Sequence, residues 1–236
     1  MACRRVYNSF VIYHNFRHAC DVLQAAFCFL LNIGAILPFP RSRDSSSVFQ
    51  EASTNKESPR SSPDGTRTSA HKPDSVYSAL LRPFDAMTLV ISCIGHDVGH
   101  PGVNNLFLVT LNAPLAQLYN DRSVLESFHC AAFSQILRRY WPTAFADVAL
   151  RKLMINCILA TDMSHHTYYV ENFQKLRKEI GDRQGSLHGL DEKTLDGYRE
   201  LLCCMLIKCA DICNVVSLGR DALSFDMQLT RAGSQV

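Results

Sequence analysis

The string His96-Asp97-Val98-Gly99-His100-Pro101-Gly102-Val103-Asn104-Asn105 ends an apolar run that begins at Met87. It places two imidazoles and a carboxylate at i, i+1 and i+4. Burying such groups is costly unless hydrogen bonds or a cation compensate. On a continuing helix His96 and His100 lie one turn apart with Asp97 beside them, a spacing that lets all three converge on one metal ion.

Four more clusters interrupt apolar segments in the same way. His14 and His18 stand at i and i+4 in Tyr13-His14-Asn15-Phe16-Arg17-His18-Ala19. Glu126 and His129 share Leu125-Glu-Ser-Phe-His129, Thr161-Asp162 follows Ile155–Ala160, and Asp211 lies in Met205-Leu-Ile-Lys-Cys-Ala-Asp211. Each cluster alone has an ordinary explanation: a hydrogen-bonded surface pair for His14 and His18, a solvated face for Glu126, a one-turn salt bridge to Lys208 for Asp211. Together they point to a shared cation. His129 is read as packing or hydrogen-bonding near the site without touching metal, His165 and His166 as a partly exposed loop pair, and Asn105 as a cap or brace of the metal-binding loop. Tyr168 and Tyr169 are read as core or surface filler, and Cys209 and Cys213 as buried apolar residues.

The elements that must position these groups read as helices. Segments 15–36, 84–97, 106–111, 124–140, 146–160, 168–180 and 191–216 carry helical apolar spacing, and no segment requires a strand. Pro101, Gly102, Pro114, Pro142 and Gly181 mark the breaks. Between them, 41–75 turns abruptly to Ser, Pro, Thr and Asn, a composition unable to bury enough surface to order itself. The expected architecture is all-α, a compact multi-helix bundle interrupted by a disordered Ser/Pro-rich insert.

Bulk properties bound the rest. The chain has 236 residues, 47% of them apolar, and a formal charge of +2. That is one domain or slightly more, without the basic footprint of nucleic-acid binding. The apolar patch 25–37 is too short to span a bilayer, and no signal peptide is recognisable. None of the ten cysteines forms a Cys-x-x-Cys pair, so reduced thiols and a cytoplasmic location are expected.

The motifs Tyr13-His14-Asn15-x-x-His18-Ala19, His96-Asp97-x-x-His100-x-x-x-x-Asn105, Ala160-Thr161-Asp162-Met163 and Lys208-Cys-Ala-Asp211 together resemble the class I 3′,5′-cyclic-nucleotide phosphodiesterases of the HD superfamily. Tyr119–Glu126 and Arg138–Pro142 bring the fungal high-affinity cyclic-AMP branch nearest. The resemblance implies that 1–40 and 76–216 form the catalytic domain around the 41–75 insert. It implies that His18, His96, Asp97 and Asp211 hold zinc, and that Asp97 bridges to a second ion, Mg2+ or Mn2+. His100, Glu126, Thr161 and Asp162 would orient the surrounding waters, His14 would be the general acid, and Asn214 would lie beside the base. The implied activity is hydrolysis of cyclic AMP, with cyclic GMP as a second substrate, by a hydroxide activated between two cations. The alternatives are a metal-binding but inactive or regulatory form, and a general HD-type nucleotide phosphohydrolase.

The resemblance stops at Val216. Residues 217–236 are read as a divergent tail, as in a truncated product, and Gln228 and Gln235 are not assigned to purine recognition. Missing covering helices would leave the apolar faces of 146–160 and 191–216 exposed.

Overall fold

A computed structural model of the protein describes residues 2–37 and 75–213. Positions 38–74 and 214–236 lie outside the described residues, and with them nearly all of the expected insert, the tail and Asn214. Among the described residues the regular elements are all helical.

The sequence explains where the main helices begin. Helix α1 (Phe16–Asn32) starts at Asn15, whose side chain accepts hydrogen bonds from the Arg17 and His18 N–H groups. This satisfies two of the donors orphaned in a first turn. The asparagine between the two histidines is therefore a helix cap, and it fixes His14 just outside the helix and His18 just inside. Helix α2 (Val76–Leu80) is capped by Ser75, whose hydroxyl also donates to the Ile33 carbonyl. Helix α3 (Pro83–Gly95) opens with proline at its first position, and buried Asp85 accepts from the Arg82 N–H and from its guanidinium.

Beyond them lie α4 (Asn105–Thr110), α5 (Pro114–Leu118), α6 (Val124–Tyr140), α7 (Pro142–Ala146), α8 (Val148–Leu159), α9 (His166–Asp182) and α10 (Glu192–Cys213). The long segments expected from periodicity all appear as helices with shifted ends. The short α2, α5 and α7 were not foreseen. Pro114 and Pro142 do not simply break structure; each opens a helical turn, where a missing N–H and a fixed φ are favourable. Gly181, expected as a break, is still inside α9.

Two apolar clusters hold the bundle. Val22, Ala26 and Leu30 of α1 pack with Leu89 and Cys93 of α3, Leu153 and Cys157 of α8, and Cys203 and Ile207 of α10. From the adjoining side of α8, Met154 and Ile158 meet Phe133 and Leu137 of α6 with Tyr7, Ala19 and Val98. Each fully buried Leu or Ile contributes about 1.5–3 kcal/mol, and α8, which supplies both clusters from one buried stripe, is the central strut. The expected exposed faces on 146–160 and 191–216 are absent among the described residues. Val148 and Ile212 are the large apolar side chains exposed there, because α8 and α10 pack on each other and on α3. All ten cysteines are free thiols, and no described helix is long and apolar enough to cross a membrane.

Gly95, one residue before His96, lies against the Phe133 ring, and a Cβ there would run into it. Gly95→Ala is expected to destabilise the fold by about 1–3 kcal/mol through overpacking, read as a lowered urea midpoint, with part of the loss recovered by adding Phe133→Leu. An unchanged midpoint for Gly95→Ala would contradict this packing.

Candidate metal centre

The start of α1, the end of α3 and the last turn of α10 converge on one point. His18 comes from the first turn of α1, His96 and Asp97 from the residues that close α3, and Asp211 from α10. His18 Nε2 stands 2.9 Å from Asp211 Oδ1 and 3.5 Å from Asp97 Oδ2. His96 Nε2 stands 3.3 Å from Asp97 Oδ2 and 3.4 Å from Asp211 Oδ1. Ligands at about 2.0–2.2 Å from one ion are separated by about 3.0–3.6 Å in tetrahedral or octahedral arrangements. The four atoms have the mutual spacing of a coordination shell.

Hydrogen bonding separates ligand atoms from donors. His96 is fully buried, and its Nδ1 faces the Cys93 carbonyl at 2.9 Å. The carbonyl accepts only from a protonated Nδ1, so in the neutral ring Nε2 offers its lone pair inward. His96 Nε2 and Asp97 Oδ2 are buried and have no hydrogen-bond partner. Buried polar atoms left this way are expensive, and a cation between them satisfies both.

His100 is arranged oppositely. Its Nδ1 accepts from the Gly102 N–H at 2.9 Å, which leaves the proton on Nε2. Such a ring is a donor. It cannot ligate through Nε2 without becoming an imidazolate, so the convergence of His96, Asp97 and His100 on one ion that spacing allows does not occur. The His14 ring stacks on His100 with centroids 4.1 Å apart and meets His18 edge-on at 5.8 Å.

A second group, Asp97 with His100 and His129, lies on the other side of the shared carboxylate. His129 is buried on α6, its Nδ1 donates to the Val98 carbonyl, and its Nε2 stands 3.7 Å from Asp97 Oδ1. In the neutral ring that geometry points a lone pair at a carboxylate oxygen. Asp97 thus presents Oδ2 to one set of imidazoles and Oδ1 to another. The expectation that His129 packs or hydrogen-bonds near the site agrees with its bond to the Val98 carbonyl.

The surrounding residues are held rather than free. Asn105, at the head of α4, donates to Glu126 Oε2 and accepts from the Leu125 N–H, so it braces the start of α6. Thr161 Oγ1 donates to the Ile158 carbonyl. Asp162 accepts from the Ser123 hydroxyl at 2.6 Å and from the Ser164 N–H at 2.8 Å. Ser123 was not singled out from sequence, because a bond to a residue 39 positions away leaves no local pattern. His165 is exposed near Ser123 and Asp162, and His166 begins α9. Lys208 does not pair with Asp211 as its spacing suggested; its Nζ donates to the Ala160 and Asp162 carbonyls.

Electrostatics follow from this crowding. Burial opposes ionisation of both aspartates. The hydrogen bond with His18 and the nearby His96 ring outweigh it at Asp211, bringing that carboxyl down to about 2. Asp97 is also held below the usual carboxylate range, chiefly by His96. Burial by itself would lower His96, but Asp97 and Asp211 together hold it well above the ordinary imidazole range. Burial brings His100 and His129 down to about 4 and lowers His14, while it raises Glu126.

Comparison with known proteins agrees with this geometry. The family model of the 3′,5′-cyclic nucleotide phosphodiesterases matches residues 13–218. The chain belongs to this family. It is 28% identical to the 3′,5′-cyclic-AMP phosphodiesterase 4C of Mus musculus over 216 residues, which cover 88% of this chain and 25% of that protein. It is 38% identical to the high affinity cGMP-specific 3′,5′-cyclic phosphodiesterase 9A of Mus musculus over 138 residues, covering 56% of this chain and 24% of that one. The crystal structure of yeast caPDE2 superposes with a TM-score of 0.67 at 33% identity, covering 97% of this chain and 41% of that chain. The chain thus spans less than half the length of each of these phosphodiesterases. The family is metal-dependent, and the buried His/Asp groups of this chain fit that dependence.

Because Asp97 and Asp211 raise the proton affinity of the His96 ring, protons compete with zinc for it, and zinc binding is expected to release protons. Titration calorimetry in buffers of different ionisation enthalpy reads this directly, and a heat independent of the buffer would contradict it.

Proposed function

We propose that the protein hydrolyses 3′,5′-cyclic nucleotides, cyclic AMP in preference to cyclic GMP, to 5′-nucleoside monophosphates. The observation that carries this reading is the unpartnered pair His96 Nε2 and Asp97 Oδ2 beside His18, Asp211 and the stacked His14. Imidazole and carboxylate donors at this spacing suit zinc at His18, His96, Asp97 and Asp211. The far oxygen of Asp97 suits a harder ion, Mg2+ or Mn2+, that keeps most of its water. When bound, the two cations activate a water and neutralise charge on the phosphoryl oxygens.

The protein's own groups do the rest. Asp97 would set the spacing of the two sites, since its two carboxylate oxygens face different sets of imidazoles. His100, with its proton on Nε2, donates toward the same space, and Glu126, held by Asn105, orients water there. Asp162 and Thr161 hold the edge of that space from the turn after α8. His14 delivers the proton to the departing 3′ oxygen, which is a poor leaving group as an alkoxide. Burial lowers its affinity for that proton, and a bound phosphate anion raises it again. The preference for cyclic AMP is supported by the position of Asn214 in the sequence three residues after Asp211 and by the branch the motifs resemble. A cytosolic place follows from a messenger substrate.

Two substitutions test the assignment. His14→Ala is expected to lower kcat by about 10²–10⁴-fold with normal zinc content. Asp211→Ala is expected to lose zinc and activity together. Zinc content is read by elemental analysis and turnover by cyclic AMP and cyclic GMP assays. Full zinc content without turnover of either nucleotide would overturn the enzymatic reading, and retained zinc in Asp211→Ala would overturn the ligand assignment.

A further inference from the structure

Lys208 is 2% exposed, and its ammonium is held by backbone carbonyls. Nζ donates to the Ala160 carbonyl at 2.6 Å and to the Asp162 carbonyl at 3.3 Å, and it lies 5.5 Å from the centre of the Tyr169 ring. A buried cation survives only where such acceptors replace its water. Ala160 closes α8, so its carbonyl belongs to the negative end of that helix, where a cation is favoured. The two carbonyls flank Thr161.

The same turn is gripped from the other side by Ser123, which stands just before α6 at φ 41°, a left-handed conformation that costs a non-glycine residue free energy. Lys208 and Asp211 are three residues apart on α10, on neighbouring positions of one helix face. One face of α10 therefore carries both a ligand atom of the cluster and the anchor of the turn that bears Thr161 and Asp162.

We propose that Lys208 is a positioning residue: it sets the Ala160–Asp162 turn at a fixed distance from Asp211 and so preorganises the water-lined side of the metal centre. The inference rests on the two-cation reading given above. A lysine that served packing alone would be replaceable at a cost in stability only, whereas a positioning lysine changes how the harder cation binds.

The test is Mn2+ titration of the zinc-loaded full chain, followed by the electron paramagnetic resonance signal of free Mn2+, with zinc content and melting temperature recorded for each variant. Lys208→Met is expected to bind Mn2+ about 10–100-fold more weakly than the unsubstituted protein, the range for loss of a group that orients metal ligands, with zinc content unchanged. Lys208→Arg, which keeps the charge and its donors, is expected to recover most of that affinity. Undiminished Mn2+ affinity in Lys208→Met overturns the proposal whatever its melting temperature. Should Lys208→Met not fold, Lys208→Gln, with a neutral donor, is judged by the same criterion. Asp97→Asn separates the two levels of the argument: if it too binds Mn2+ undiminished, the two-cation reading fails, and if it alone loses Mn2+, only the role of Lys208 fails.

Discussion

The carboxylate of Asp97 sits between two sets of imidazoles and is satisfied by neither. Its Oδ2 and the facing His96 Nε2 are both buried without a hydrogen-bond partner, and its Oδ1 faces the His129 ring. Buried charge and unmet lone pairs are among the costliest features a small domain can carry. Positive charge entering this point would compensate that cost. The two aspartates raise the proton affinity of the His96 ring despite its complete burial.

The rest of the bundle serves to hold this arrangement. Each contributing side chain sits at or near a helix end, where the chain can turn a polar group inward without breaking an apolar face. Asn15 starts α1 so that His18 falls in its first turn. Gly95 lets the end of α3 approach the Phe133 ring closely and delivers His96 and Asp97. The last turns of α10 bring Asp211, while α8, through its buried stripe, keeps α3, α6 and α10 in register.

The long helices and the converging residues were legible in the sequence because both leave local marks: apolar periodicity for the first, ionisable groups at core positions for the second. The roles of individual rings were less legible. His96 and His100 have equivalent spacing to Asp97, and what separates them is the backbone partner of each Nδ1, the Cys93 carbonyl in one case and the Gly102 N–H in the other. Lys208 looked like the one-turn partner of Asp211, but its side chain reaches another helix end, a tertiary choice that spacing on one helix cannot reveal. Ser123 and the short helices opened by Pro114 and Pro142 escaped notice for related reasons, since their order comes from contacts and turn geometry.

The central claim is that His18, His96, Asp97 and Asp211 surround one ion. Anomalous diffraction at the zinc edge, from crystals of the zinc-loaded protein, tests it most directly. The strongest anomalous peak is expected at bonding distance from His18 Nε2, His96 Nε2, Asp97 Oδ2 and Asp211 Oδ1. A peak seated elsewhere, for example among the core cysteines or at His165, with these four atoms still facing one another directly, would contradict it.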